Sequence, residues 1–138
     1  MKPVFADAYY FFALLNPRDE AHESVTRFNF SLRNPIVTSA WVLTEVADGL
    51  AGTASRSVFR VLLDQLHSDS RVIVVEPSAN DFDAGVALYD QRKDKQWSLT
   101  DCISFEIMRE HGIQDALTAD RHFEQAGFNA MLKSDSQI

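Results

Sequence analysis

Short apolar stretches alternate along this chain with longer segments of helical period, and this alternation restricts the fold more than any other feature. Runs such as Val4-Phe5-Ala6 and Val72-Ile73-Val74-Val75 are short enough to be buried strands, and helical segments between them are the pattern of βαβ units around a mainly parallel sheet. Strands are expected at 4–6, 36–38, 71–75 and 116–118, with a weaker one at 128–131. Helices are expected at 8–15, 19–32, 40–51, 55–68, 79–93, 99–111 and 121–126, with Ser55 and Ser78 as N-caps. Asn16-Pro17 and Asn34-Pro35 punctuate the first helical stretches. Most glycines fall near expected helix ends; Gly85 does not. The reading is an α/β fold with a central sheet of four or five strands.

With 138 residues and no repeat, low-complexity tract or linker, the chain is expected to form one domain over 1–138. It has no apolar run of the roughly 18 residues that span a bilayer and no signal-like N-terminus, so a cytoplasmic protein without a membrane partner is expected. Cys102 is the single cysteine and cannot form an internal disulfide; it reads as a core residue. The net charge of −7 argues against broad charge-driven adhesion to nucleic acid. It does not exclude a nucleic-acid substrate, because divalent ions held by some of the acids would reset the local charge.

Four acids stand where an apolar run gives way to a helical stretch: Asp7, Glu45, Asp101 and Asp120. Each has a local alternative. Asp7 directly follows the first strand, where parallel sheets place ligands, yet Asp is also a preferred helix cap. Glu45 lies off the apolar stripe of Val42, Leu43, Val46, Ala47 and Leu50, so it is site residue or solvated surface, with Asp48 one turn along as support or plain surface. Ser98-Leu99-Thr100-Asp101 fits a capping box, and Asp120 follows a strand and precedes a helix. Thr100 and Thr118 would support the acids beside them. Asp81 and Asp115 read as surface or capping residues. Joint position favours convergence on one sheet edge, and carboxylates in apolar surroundings call for a hard cation such as Mg²⁺ or Mn²⁺.

At these residues the sequence resembles the PIN-domain ribonucleases, the family that includes the VapC-type toxins of bacterial toxin–antitoxin pairs. The marks are the strand ending in Asp7, the Glu45 helix after Thr38-Ser39, Leu99-Thr100-Asp101, and Leu117-Thr118-Ala119-Asp120-Arg121-His122-Phe123 followed by Gly127-Phe128. The resemblance covers nearly the whole chain. It implies a three-layer α/β/α sandwich whose acids bind Mg²⁺ or Mn²⁺ for endonucleolytic cleavage of RNA by metal-activated water, with Asp7 and Asp101 as principal ligands and Glu45 and Asp120 completing the cluster. It also implies a small antitoxin protein as partner, and a homodimer is expected.

The RNA-binding surface is less legible in an acidic chain. Arg18, Arg92, Lys93, Lys95 and Arg121 are candidates for phosphate contacts, Arg121 being best placed beside Asp120. Tyr9, Tyr10, Trp41 and Trp97 are candidates for stacking on unpaired bases, although Tyr10, Phe11 and Phe12 read first as core or dimer packing. The histidines show no zinc-ligand spacing; His122 reads as helix-start packing or as a group near the phosphate. No phosphate-binding glycine loop or serine nucleophile elbow is present. Two rivals remain: a catalytically silent PIN-like module that binds RNA or protein, and a receiver-like phosphoacceptor domain, for which the strand-end Asp and the late Lys are missing.

Overall fold

The computed structural model describes residues 1–133. Its elements run β1 (Val4–Ala6), α1 (Ala8–Leu15), α2 (His22–Ser31), β2 (Ile36–Ser39), α3 (Ala40–Leu50), α4 (Val58–Ser68), β3 (Val72–Val75), α5 (Ala79–Gln91), α6 (Leu99–Glu110), β4 (Asp115–Leu117), α7 (Arg121–Gln125) and β5 (Asn129–Ala130). The strands form one sheet in the order β3-β2-β1-β4-β5, and every pairing is parallel. Parallel neighbours need crossovers, and here helices supply them while covering the sheet, which gives a three-layer α/β/α sandwich.

Strand order positions the site. From β1 the sheet grows outward through β2 and β3, then returns to the other side of β1 with β4 and β5. The β1/β4 junction is therefore the switch point of the sheet, where a crevice opens outside the carboxyl ends of the strands. Ala6 pairs in register with Leu117. The next residues along, Asp7 and Thr118, thus leave the sheet side by side.

Burial is deepest at the same place. Val4, Phe5 and Ala6 are fully buried, as are Ala116 and Leu117. Helix α6 contributes Ile103, Phe105, Ile107 and Met108 to the core, together with Cys102. Phe105 meets Trp97 and Phe123 edge-on at centroid distances of 5.0 and 4.9 Å, contacts that add about 0.5–1.5 kcal/mol each beyond area burial. At the far edge β3 is only partly covered, and Ile73 is more than half exposed.

Element boundaries differ from the sequence reading where polar side chains compete for backbone groups. The second helix starts at His22 rather than 19, because Asn16 and Asp19 accept hydrogen bonds from the amides of Arg18 and Ala21 and hold the chain in turns. Ser78 caps α5 as expected, accepting from the Asp81 amide. Ser55 does not cap α4: the Thr53 hydroxyl takes the Ser55 amide into a turn, and the helix begins at Val58. Asp115 lies within β4, where it accepts from the Asn129 side chain rather than capping a helix.

Gly85, the glycine out of place in the sequence pattern, is explained by helix packing. A Cβ built on it would lie 2.3 Å from Ile103 Cγ1 and about 3 Å from the Ile103 backbone. Because backbone blocks the space, α5 would have to move off α6. Gly85→Ala should destabilise the protein by about 1–3 kcal/mol in urea unfolding although alanine favours helix, whereas Gly52→Ala, with nothing within 4 Å, should stay within about 0.5 kcal/mol. Equal midpoints for the two variants would disprove this packing account.

Candidate metal centre and active-site cleft

A cleft of about 710 Å³ opens at the switch point and is lined by Asp7, Glu45, Asp101, Asp120 and His122, with Tyr9, Phe12, Gln96 and Ser98 among its walls. Each acid arrives on a different element: Asp7 between β1 and α1, Glu45 on α3, Asp101 in the first turn of α6, and Asp120 between β4 and α7. All four acids singled out in the sequence therefore face one cavity.

Asp7 occupies the N-cap position of α1, but its side chain makes no cap hydrogen bond. Its Oδ2 instead accepts from the Thr118 hydroxyl at 2.9 Å across the sheet. The residue is only 7% exposed, and burial raises its carboxyl to about pKa 7; the Thr118 hydroxyl and the Ala8 amide pull downward, while the charges of Asp101 and Glu45 push further up. Thr118 also accepts the Asp120 amide at 3.1 Å, so one buried hydroxyl ties the two strand ends together.

Asp101 is both a cap and a member of the cluster. Ser98 and Asp101 form a complete capping box, in which the Ser98 amide donates to Asp101 Oδ2. His122 Nδ1 lies 3.0 Å from that same oxygen and donates to it in the tautomer that carries the ring proton on Nδ1. Asp101 Oδ1 accepts no hydrogen bond among the described residues. Asp120 caps α7 through Oδ1, which accepts the His122 amide at 2.9 Å. Glu45 stands at the exposed rim without a hydrogen bond among the described residues, and its carboxyl is raised by burial and by the charges of Asp101 and Asp120. Burial also raises Asp101, against the lowering effect of His122 and the Ser98 amide.

This donor set fits a divalent cation. Ligand atoms of Asp101, Asp120 and His122 lie within 4.8 Å of one another, Asp7 and Glu45 face the same space, and the carboxylates mutually oppose ionisation without a positive charge.

The surrounding residues sort differently from the sequence reading. Thr100 does not line the cleft: one position before Asp101 on a helix, it points about 100° away. His122 is more than helix-start packing; its signal in the sequence was its place two residues after Asp120 at a helix start. Trp97 is buried, donates to Gln125 and is covered by the Arg92 guanidinium, so it offers no face to a base. Tyr10 is core, with its hydroxyl donating to Asn29. Trp41 packs half-buried against the core, and Tyr9 lies at the cleft wall. Arg92 is held by Asp94 through two 3.0 Å contacts and is not free for phosphate. Arg121 is exposed on an adjoining cleft that shares Gln96 and His122 with the acidic one.

Comparison with known proteins agrees with this architecture. The protein named 23S rRNA-specific endonuclease VapC20, from Mycobacterium tuberculosis, is 28% identical over 132 residues, covering 91% of this chain and 95% of its own length. The crystal structure of that VapC20, described as a Sarcin-Ricin loop cleaving toxin, superposes with a TM-score of 0.82 at 26% identity, over 91% of this chain and 96% of the other. FitAcB from Neisseria gonorrhoeae shares the fold, with a TM-score of 0.61 at 20% identity over 91% and 96% of the two chains. The sequence profile of the PIN domain matches residues 4–129, and this chain belongs to the PIN-domain family.

Proposed function

We propose that this protein is a metal-dependent endoribonuclease, the toxin of a toxin–antitoxin pair. The observation that carries the reading is the meeting of Asp7, Glu45, Asp101 and Asp120, from four separate elements, in one cleft at the switch point of the sheet. Similarity to a named ribosomal-RNA endonuclease along nearly the full length supports the activity and its direction toward RNA.

Asp101 and Asp120 would hold the ion, Mg²⁺ or Mn²⁺, from the α6 and β4 sides, with Asp7 completing the set from β1. A bound dication supplies charge to offset the phosphoryl oxygens and acidifies water for in-line attack. The protein does the placing. His122 fixes the rotamer of Asp101, the Thr118 hydroxyl fixes Asp7, and such supporting contacts typically matter 10–100-fold for metal affinity or activity. Glu45, at the open rim and without a hydrogen bond among the described residues, is the carboxylate available to take a proton from attacking water. A silent binding module would have no use for this cluster, since buried like charges cost stability unless a ligand offsets them.

A protein partner such as an antitoxin or a second copy of the chain would find apolar surface away from the cleft. Leu43, Phe59, Leu63, Leu66 and Val72 line a hollow of about 540 Å³ between α3, α4 and β3. No helix among the described residues is long and apolar enough to cross a membrane, which accords with a cytoplasmic site of action.

Two predictions test the centre. Without metal, folded Asp7 keeps its proton up to about pH 7, whereas in the unfolded chain it loses it near pH 4. Between those values the folded state binds the extra proton, so stability falls as pH rises and levels off above 7. In EDTA the Tm of wild type should drop between pH 5 and 7.5 by more than that of Asp7→Asn, and at pH 7.5 Mn²⁺ should raise the wild-type Tm more; parallel curves for the two proteins would refute the assignment. Asp7→Asn and Asp101→Asn should each cut cleavage of a pooled RNA substrate by at least about 100-fold with circular dichroism unchanged, from loss of ion placement. Full activity in both variants would overturn the proposed roles.

A further inference from the structure

Among the described residues, Lys2, Arg18, Lys93, Lys95 and Arg121 are the Lys and Arg side chains with neither an ion pair nor a side-chain hydrogen bond. The last three gather beside the acidic cleft. Lys95 and Arg121 share one hollow of about 320 Å³, and Lys93 and Lys95 share another of about 440 Å³. Gln96 lines both hollows and the acidic cleft, so the three are continuous through it. Asp94, the acid within this group, is spent on Arg92. Its pairing leaves the ledge net positive in a chain of net charge −7.

An aromatic ring completes the ledge. Tyr89, half exposed at the C-terminal end of α5, lines the same hollow as Lys93 and Lys95. Backbone charges tracked by cations with a ring alongside are the means by which proteins hold single strands. On α5 itself the exposed Asp90 follows Tyr89, and Asp81 and Asp83 lie further back along the helix, so the cations of the ledge lie on the Lys93 side of Tyr89.

Resting on the ribonuclease reading, we propose that single-stranded RNA leaves the acidic cleft past Gln96 onto a phosphate-binding ledge of Lys93, Lys95 and Arg121, with an unpaired base stacked on Tyr89. This ledge sets which nucleotides next to the cut are held, and the substrate must be unpaired there for a base to reach the ring.

The test measures anisotropy of a fluorescein-labelled random-sequence RNA 12-mer against salt, in an Asp7→Asn background with Mg²⁺ so that the RNA is not cut. Adding Lys93→Gln, Lys95→Gln and Arg121→Gln together should reduce the slope of log affinity against log salt by about 2, the loss of three single-strand phosphate contacts. Lys2→Gln should leave it unchanged. Tyr89→Ala should weaken binding at least about 5-fold while Tyr89→Phe retains it. An unchanged slope in the triple variant, with wild type cleaving pooled RNA, would overturn the ledge alone; unchanged affinity in Tyr89→Ala would overturn the stacking. Wild type that neither binds nor cleaves RNA would overturn the ledge and the nuclease reading together.

Discussion

A carboxyl group buried at the end of the central strand is the constraint around which the rest is arranged. Asp7 sits nearly solvent-free beneath the cleft, and ionising it without a cation at neutral pH costs on the order of 4 kcal/mol relative to water. A domain with a stability of about 5–15 kcal/mol holds such a group only if its neighbours make the geometry unavoidable. The parallel pairing of β1 with β4 does this. Thr118 is delivered opposite Asp7 by register, and its hydroxyl donates to the Asp7 carboxylate and accepts from the Asp120 amide.

The capping interactions that cast doubt on Asp101 and Asp120 in the sequence turn out to serve the cleft. A capping box directs one oxygen of Asp101 to the backbone and to His122, and leaves the other without a hydrogen bond among the described residues. Asp120 likewise caps α7 through Oδ1, which accepts the His122 amide, while the residue lines the cleft. A carboxylate has two oxygens, so capping a helix and facing a cation are compatible roles. Helix N-termini also place positive backbone charge beside these acids, which eases their crowding.

Much of the architecture was legible because the apolar runs are short and the helical segments long. Val4–Ala6 and Ala8–Leu15 fall where period and burial put them. Boundaries were lost where Asn16, Asp19 and Thr53 bond the backbone locally, a competition that hydrophobic pattern does not register. Trp97 was misplaced as a base-stacking candidate because an aromatic beside a basic run looks exposed until Phe105 and Arg92 are seen packed on it. Gly85 was anomalous in the pattern since its cause, the backbone of Ile103, lies 18 residues away on another helix.

Residue type and order along the chain determined the α/β class, the parallel sheet and the set of acids that could meet, because local periodicity and the chemistry of carboxylates are properties of short segments. Tertiary structure decided that Asp7 bonds Thr118 rather than capping α1, that His122 orients Asp101, that Thr100 turns away, and that Lys93, Lys95 and Arg121 border one path. These outcomes depend on strand register and helix rotation, which place groups up to 111 residues apart within a hydrogen bond of each other; no single segment carries that information.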